Sequence, residues 1–280
     1  MSHPVPLRSD PSTGVNSSVL KAPSNWREID FISDLHLQVE DPATFAAWQS
    51  YMQTTPADAI FILGDLFEVW VGDDVMDKPD VRADKSFEKR CVEVLNKASE
   101  RLDLFLIHGN RDFLLSGAFE KASGLTLLND PTRLEFAEKH WLLSHGDALC
   151  LDDTEYLAFR AQVRSKQWQQ DFLDKPLEER LDLARHLRKQ SEQRKASGAA
   201  YADVDEAEAI KWLQAHQAET LIHGHTHRPA DHQLTSPEPN PTHAPALQRL
   251  VLSDWDTLAH PPRAEVLRLG VGHPALRIKA

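Results

Sequence analysis

Short apolar runs recur along this chain, and five of them break into a polar cluster at the C-terminal end. Phe61-Ile62-Leu63 runs into Gly64-Asp65. A run of this kind reads as a strand buried on both faces. Gly64 permits a turn, and Asp65 falls where open α/β sheets place their sites, at the strand's C-terminal end. Ile29–Ile32 ends in Ser33-Asp34-Leu35-His36-Leu37, and Leu104–Ile107 ends in His108-Gly109-Asn110-Arg111-Asp112. Trp141–Ser144 ends in His145-Gly146-Asp147, and Thr220–Ile222 in His223-Gly224-His225-Thr226-His227-Arg228-Pro229. Between these strands the pattern turns helical. Asp41-Pro42 opens a helix through Phe45, Trp48 and Met52, with Pro at its first position. Phe87, Cys91, Val94, Leu95 and Ala98 give one apolar face to a helix from about Asp84 to Arg101. A helix over Leu115–Ser123 and strands over Leu125–Leu128 and Arg133–Phe136 follow, with closing strands at Arg249–Leu252 and Ala264–Leu269. Glu68 to Asp74 reads as a loop with an exposed Trp70 and three acids, and Leu234 to Pro245 as a long surface loop. No fixed-period repeat is present, so the expectation is a layered α/β fold.

Two stretches depart from this alternation. Residues 1 to about 25 carry Pro4, Pro6, Pro11 and Pro23 among Ser, Gly and Asn, and are expected to form a disordered leader. Residues 153–213 read as wholly helical, with apolar faces built from Tyr156, Phe159, Val163, Trp168, Phe172 and Leu177 among others. From Arg160 to Lys195 there are ten Lys/Arg and six Asp/Glu, a local +4 in a chain of net charge −12. A solvated helical pair would look like this. So would a lid whose basic residues meet phosphate and whose apolar face meets something greasy.

The overall acidity excludes a general nucleic-acid binder, which needs basic patches for phosphate backbones. Cys91 and Cys150 form no metal-type pair and fit a reducing compartment. No apolar run approaches the ~20 residues of a membrane span. A cytoplasmic protein of one large domain with an insertion is the expectation from 280 residues.

Two Asp, one Asn and four His are too many donors for one tetrahedral zinc site. They suit two divalent ions sharing a carboxylate, with Asp65, alone at its strand end, as the natural bridge. Asp34 and His36 point the same way in an extended segment and, with one of His225 or His227, would serve one ion. Asn110, His145 and the other histidine would serve the second. Carboxylate, carboxamide and imidazole without thiolate point to Mn²⁺ or Fe²⁺, with Zn²⁺ possible. Such pairs make a hydroxide at neutral pH, which would attack phosphorus in line.

Asp34-x-His36, Gly64-Asp65, Gly109-Asn110, His145-Gly146-Asp147 and Gly224-His225-x-His227 resemble the calcineurin-like metallophosphoesterase superfamily, over nearly all the chain after residue 26. Within it, Leu63 to Asp74, His108 to Leu114 and His223 to Pro229 are similar to the UDP-2,3-diacylglucosamine pyrophosphohydrolases of lipid A synthesis. The resemblance implies a four-layer sandwich of two mixed β-sheets flanked by helices. Its core would be residues 26–152 and 214–280, with a helical lid at 153–213. It also implies a pair of Mn²⁺ ions held by Asp34, His36, Asp65, Asn110, His145, His225 and His227. Hydrolysis of UDP-2,3-diacylglucosamine to UMP and 2,3-diacylglucosamine 1-phosphate would be the reaction, with Asp65, Asn110 and Arg111 catalytic. Asn110, Arg111, Asp153, Tyr156, Ser191, Lys195 and His225 would contact substrate. In the stretch after Ser191, Lys195 stands where the family often has Asn and Gly198 where it often has Lys. A monomer in peripheral contact with the cytoplasmic face of a Gram-negative inner membrane completes the picture. The superfamily usually has Asn-His where this chain has Asn110-Arg111. Arginine stays protonated and is no useful acid. It suits a leaving group that departs unprotonated, as a phosphate monoester does, its second pKa being ~6.

Overall fold

The computed structural model describes residues 8–9, 18–78, 85–196, 202–235 and 246–280, with the side chains of 8–9 and 190–196 left out. In chain order the first half comprises β1 (Arg8–Ser9), β2 (Ser18–Lys21), β3 (Glu28–Ile32), α1 (Pro42–Thr54), β4 (Ala59–Leu63), α2 (Phe87–Ser99), β5 (Asp103–Ile107), α3 (Gly117–Ser123) and β6 (Thr126–Leu128). Then come β7 (Thr132–Phe136), β8 (Lys139–Leu143), α4 (Thr154–Val163), α5 (Lys166–Leu173), α6 (Leu177–Ala196) and α7 (Glu206–Ala215). The chain closes with β9 (Thr220–His223), β10 (Ala230–Leu234), β11 (Leu247–Val251), β12 (Glu265–Gly270) and β13 (Leu276–Lys279).

The strands form two mixed sheets, ordered β1-β2-β7-β8-β9-β11-β10 and β13-β12-β3-β4-β5-β6. Alternate residues of each strand face opposite ways, and both faces are covered. Phe31, Phe61 and Phe105 stand side by side in the parallel register of β3, β4 and β5. Their rings stack at 5.1 and 4.8 Å and pack with Leu134, Leu143 and Ile222 of the other sheet. Each such ring pair adds about 0.5–1.5 kcal/mol beyond its burial. The opposite faces of β3, β4 and β5 meet Trp48 and Met52 of α1, Cys91 and Leu95 of α2, and Phe119 of α3. Leu142 and Leu221 of the other sheet meet Ala209, Ile210 and Leu213 of α7. The order helix, sheet, sheet, helix is the expected four-layer sandwich.

Caps explain where the helices begin. Asp41 accepts from Thr44 N at 3.0 Å to start α1, and Ser86 from Lys89 N at 3.0 Å to start α2. Asp153 accepts from Tyr156 N at 3.1 Å to start α4.

Four expectations are corrected. Within the leader expected over 1–25, Ser18–Lys21 pairs in parallel with β7 and buries Leu20 completely, and Arg8–Ser9 pairs antiparallel with that strand, while residues 1–7 and 10–17 lie outside the described residues. Trp70 is buried, not exposed, because its Nε1 donates to Asp73 Oδ1 at 3.0 Å while its ring packs on Phe67 and Phe119. The helical stretch 153–213 divides, since α7 and Val204 belong to the layer beneath the sheet. Of the loop expected over 234–245, Leu234 ends an unexpected β10, and residues 236–245 lie outside the described residues. Strand β13 was likewise not expected.

Candidate metal centre

Strands β3, β4, β5 and β6 run parallel, as do β8 and β9, so the cluster-bearing ends meet on one edge of the sandwich. Asp34 and His36 leave β3, Asp65 leaves β4, Asn110 follows β5, His145 follows β8, and His225 and His227 follow β9. Five of these seven, Asp34, His36, Asp65, His225 and His227, hold φ between 48° and 66°. Side chains rarely adopt that region, and such strain persists where the surroundings over-determine it.

What over-determines it is a mesh of backbone hydrogen bonds between loops. Asp34 N donates to Gly64 O at 3.1 Å, and His36 N donates to Asp65 O at 3.0 Å. Asp112 accepts from Gly109 N and Leu66 N, both at 2.8 Å, lacing the β5 loop to the β4 loop. Close approach also requires glycine. A Cβ on Gly109 would lie 2.0 Å from Asp65 Oδ1, and one on Gly224 would lie 2.3 Å from Asp34 Oδ2. The glycines of these two motifs therefore make room for a carboxylate from another strand, and Gly64 makes room for the His145 ring.

The side chains converge. His36 Nε2 and His227 Nε2 face each other at 3.3 Å, and His227 Nε2 lies 3.3 Å from Asp34 Oδ1. Asp65 Oδ2 lies 3.9 Å from His36 Nε2 and 3.8 Å from His145 Nε2. Asn110 Oδ1 sits 3.0 Å from His145 Nε2 and 2.9 Å from His225 Nδ1. Of the two C-terminal histidines, His227 thus joins Asp34 and His36, and His225 joins Asn110 and His145. Among the described residues, two donor sets lie with all ligand atoms within 4.8 Å of one another: Asp34, His36, His227 and Asp34, Asp65, His145. Oxygen and imidazole donors without thiolate suit divalent cations.

The electrostatics of the cluster fit that reading. Burial alone would push Asp34 up, but His227 and the neighbouring imidazoles hold it well below the usual carboxylate range. Burial raises Asp65 despite His145 and His36. Burial would lower His145, yet Asp65 and Asp34 carry it up to about 9. His225 is pushed down to about 3, by burial and by His145. A proton on His145 stands where positive charge is wanted.

Around the centre lie residues that spacing did not single out. Glu68 Oε2 is 2.8 Å from His36 Nδ1, and Asp254 Oδ2 is 3.6 Å from His227 Nδ1. Asp254 is in turn gripped by Arg263 through two 2.8 Å hydrogen bonds. Arg111 is mostly buried, with its backbone N donating to Asp65 Oδ1 at 2.8 Å and its Nη1 3.6 Å from Glu68 Oε1. His223 faces away: its ring packs against Gly146, and burial pushes it down to about 4.

Helix α4 closes one side. The Tyr156 ring stacks on His225 with centroids 5.9 Å apart, and its hydroxyl donates to the buried Asp147 at 2.5 Å. Arg160 Nε donates to Asp147 at 2.8 Å, and Arg164 donates to Gly109 O at 2.8 Å. A cleft lined by Asn110, Phe113, Tyr156, Phe159 and Arg164 opens beside the centre. Asp153 caps α4. Ser191 and Lys195 lie in α6, and their side chains fall outside the described residues.

The family model of calcineurin-like phosphoesterases matches residues 28–229. UDP-2,3-diacylglucosamine hydrolase of Chromobacterium violaceum is 45% identical over 236 residues, 81% of this chain and 90% of that one. The Chromohalobacter salexigens enzyme of that name is 40% identical over 228 residues, covering 80% and 87%. That of Escherichia coli K12 is 40% identical over 230 residues, covering 81% and 90%. With its strand-end motifs gathered at one edge of a four-layer sandwich, the chain belongs to the calcineurin-like phosphoesterases and, within them, to the UDP-2,3-diacylglucosamine hydrolase family.

Proposed function

We propose that this protein hydrolyses the pyrophosphate bond of UDP-2,3-diacylglucosamine, giving UMP and 2,3-diacylglucosamine 1-phosphate. The observation that carries the reading is the complete set of seven strand-end donors in a chain 40–45% identical to hydrolases of that name. Asp34, His36 and His227 would hold one divalent ion, and Asn110, His145 and His225 the other, with Asp65 between them. Mn²⁺ is the proposed metal. Bound there, the pair would lower the pKa of a water and take up charge on phosphate oxygens.

The chain's own residues do the rest. Arg111 is held beside Asp65 by its own backbone and offers a planar, permanently charged fork to phosphate oxygens. It donates hydrogen bonds without surrendering a proton, which fits a phosphate monoester leaving group. The strained β3, β4 and β9 loops fix the donors before substrate arrives, so little reorganisation is left for the reaction. Tyr156 closes one wall over His225, and Asp153, Ser191 and Lys195 are proposed substrate contacts from the helical stretch 153–196. Phe159, Leu173, Leu183 and Leu187 of that stretch are partly exposed apolar side chains. They suit acyl chains and peripheral, reversible contact with the cytoplasmic face of an inner membrane. Among the described residues no helix is long and apolar enough to cross a membrane.

The test is a metal-free preparation given UDP-2,3-diacylglucosamine, with Mn²⁺ restored and UMP release followed. A simple aryl phosphate diester is offered in parallel. UMP release that returns with Mn²⁺, with little diester cleavage, is the expected result. Diester cleavage without UMP release would overturn the substrate.

A further inference from the structure

We propose that Arg180 is a positioning residue: seated in a socket that the loop after β4 builds around Gly72, it fixes where α6 lies over the site. The proposal rests on the substrate reading above, in which α6 carries the Ser191 and Lys195 contacts. The stretch Trp70-Val71-Gly72-Asp73-Asp74 supplies none of the seven donors, so the metal centre leaves it without a task. Its geometry gives it one. Trp70 N donates to Arg111 O at 3.1 Å, which ties the stretch to the β5 loop. Asp73 accepts from Ser116 Oγ at 2.6 Å and from Phe119 N at 2.8 Å, which ties it to α3. The stretch is thus fixed to the core on two sides.

Leu177, Arg180, Leu181 and Ala184 follow the i, i+3, i+4, i+7 spacing of one helical face. The three apolar members pack on the core between the β3–β5 sheet and its helices. Arg180 stands among them with its side chain only 4% exposed. Its Nη1 donates to Val71 O at 2.5 Å and to Asp74 Oδ1 at 2.9 Å, and its Nη2 donates to Asp74 Oδ2. Its Nε donates to Lys175 O at 3.0 Å. Gly72 is what lets the guanidinium in. With φ at +129°, a Cβ there would lie 2.4 Å from Arg180 Nη1 and 2.7 Å from Leu173 Cδ2. Apolar contacts are non-directional, so an apolar stripe alone tolerates a small slide or tilt. A planar fork held by two carbonyls and a carboxylate does not. Ser191 and Lys195 lie about 16 and 22 Å further along the helix, so a tilt at Arg180 grows before it reaches them.

Arg180→Met separates position from stability. Methionine continues the apolar stripe, and Asp74, 55% exposed, keeps its hydration, so no lone charge is left buried. Gly72→Ala attacks the same socket from the core side. In the full chain, KM and kcat for UMP release from UDP-2,3-diacylglucosamine are measured, with Mn²⁺ affinity, Tm and hydrogen exchange in amides 181–189. Both variants should raise KM about tenfold and keep kcat within about twofold. Both should speed exchange in 181–189 and bind Mn²⁺ as the wild type does. Arg180→Met should keep Tm within about 5 °C of wild type. The double variant should raise KM no further than the larger single change, because both empty one socket. A merely structural arginine would lower Tm and kcat through loss of folded enzyme and leave KM at the wild-type value, which overturns the proposal. Unchanged exchange in 181–189, weakened Mn²⁺ binding, or KM effects that multiply in the double variant would overturn it too. A wild type that releases no UMP removes the substrate reading, and the proposal with it. An active wild type matched in KM by Arg180→Met removes this proposal alone.

Discussion

Room for a carboxylate is the residue-scale reason this site has glycines where it does. Gly109 and Gly224 each precede a donor, and each leaves space that a carboxylate from another strand occupies. Gly109→Ala would drive a Cβ into Asp65 and displace its carboxylate. A shift of about 1 Å at a reacting centre costs on the order of 100-fold in rate. A kcat/KM assay should therefore find about that loss in Gly109→Ala, at near-native secondary structure by circular dichroism. Gly117→Ala is the matched control, because nothing lies within 4 Å of its added Cβ. Its kcat/KM should equal wild type. Equal activity in the two variants would contradict the packing account. That these seven side chains gather at one edge was legible in the sequence, since each follows an apolar run and several follow glycine. Glu68 and Asp254 were not, and Asp147 stood in a motif without a role. Which groups they meet is set by packing, and single acids in loops or turns carry no spacing signal.

At the scale of elements, burial decides what a short segment is worth. Strand β2 is four residues long and sits among Pro, Ser and Asn, a composition that argues for disorder. It is ordered because Leu20 enters the inter-sheet core beside Leu134. Leu20→Ala should cost about 2–5 kcal/mol in urea unfolding, as for other buried leucines. A loss below ~0.5 kcal/mol would return this strand to the leader. Helix α4 is fastened differently. Arg160 meets Asp147 at 2.8 Å and Asp130 at 3.8 Å, both buried carboxylates. Removing it leaves Asp147 only the more distant guanidinium of Arg164, 3.9 Å away. Arg160→Leu should cost about 3 kcal/mol, toward the low end for a broken buried pair because the guanidinium is partly exposed. Lys85→Ala breaks only the exposed pair with Glu93 and should change stability by less than about 1 kcal/mol. If the two variants unfold alike, α4 is not anchored through this pair. Trp70 teaches the same lesson in reverse. Its loop looked polar, yet Asp73 satisfies the indole and Phe67 and Phe119 bury the ring.

Over the whole molecule, the fold was readable wherever apolar runs were long enough to mark central strands. β3, β4, β5, β8, β9, β11 and β12 all fall where the pattern put them, within a few residues. The misses are strands at or next to a sheet edge, and boundaries. β2, β10 and β13 have at most a few buried residues, and α7 differs from its neighbours only in which layer it joins. The sandwich gathers carboxylates and imidazoles at one edge in a chain of net charge −12. A cation bound there favours the native state alone, since the unfolded chain scatters its ligands. At a concentration about 100 times Kd, that linkage is worth ~2.7 kcal/mol per site. Adding Mn²⁺ to metal-free protein should then raise Tm by about 5–10 °C. The central claim, that the strand ends form one centre for a pair of divalent ions, has a more direct test. Metal-free protein is titrated with Mn²⁺ and the bound metal counted by elemental analysis after gel filtration. Two ions per chain, falling in Asp65→Ala to one or fewer, is the result the account predicts. One ion or none in the wild type, or two retained in Asp65→Ala, would contradict it.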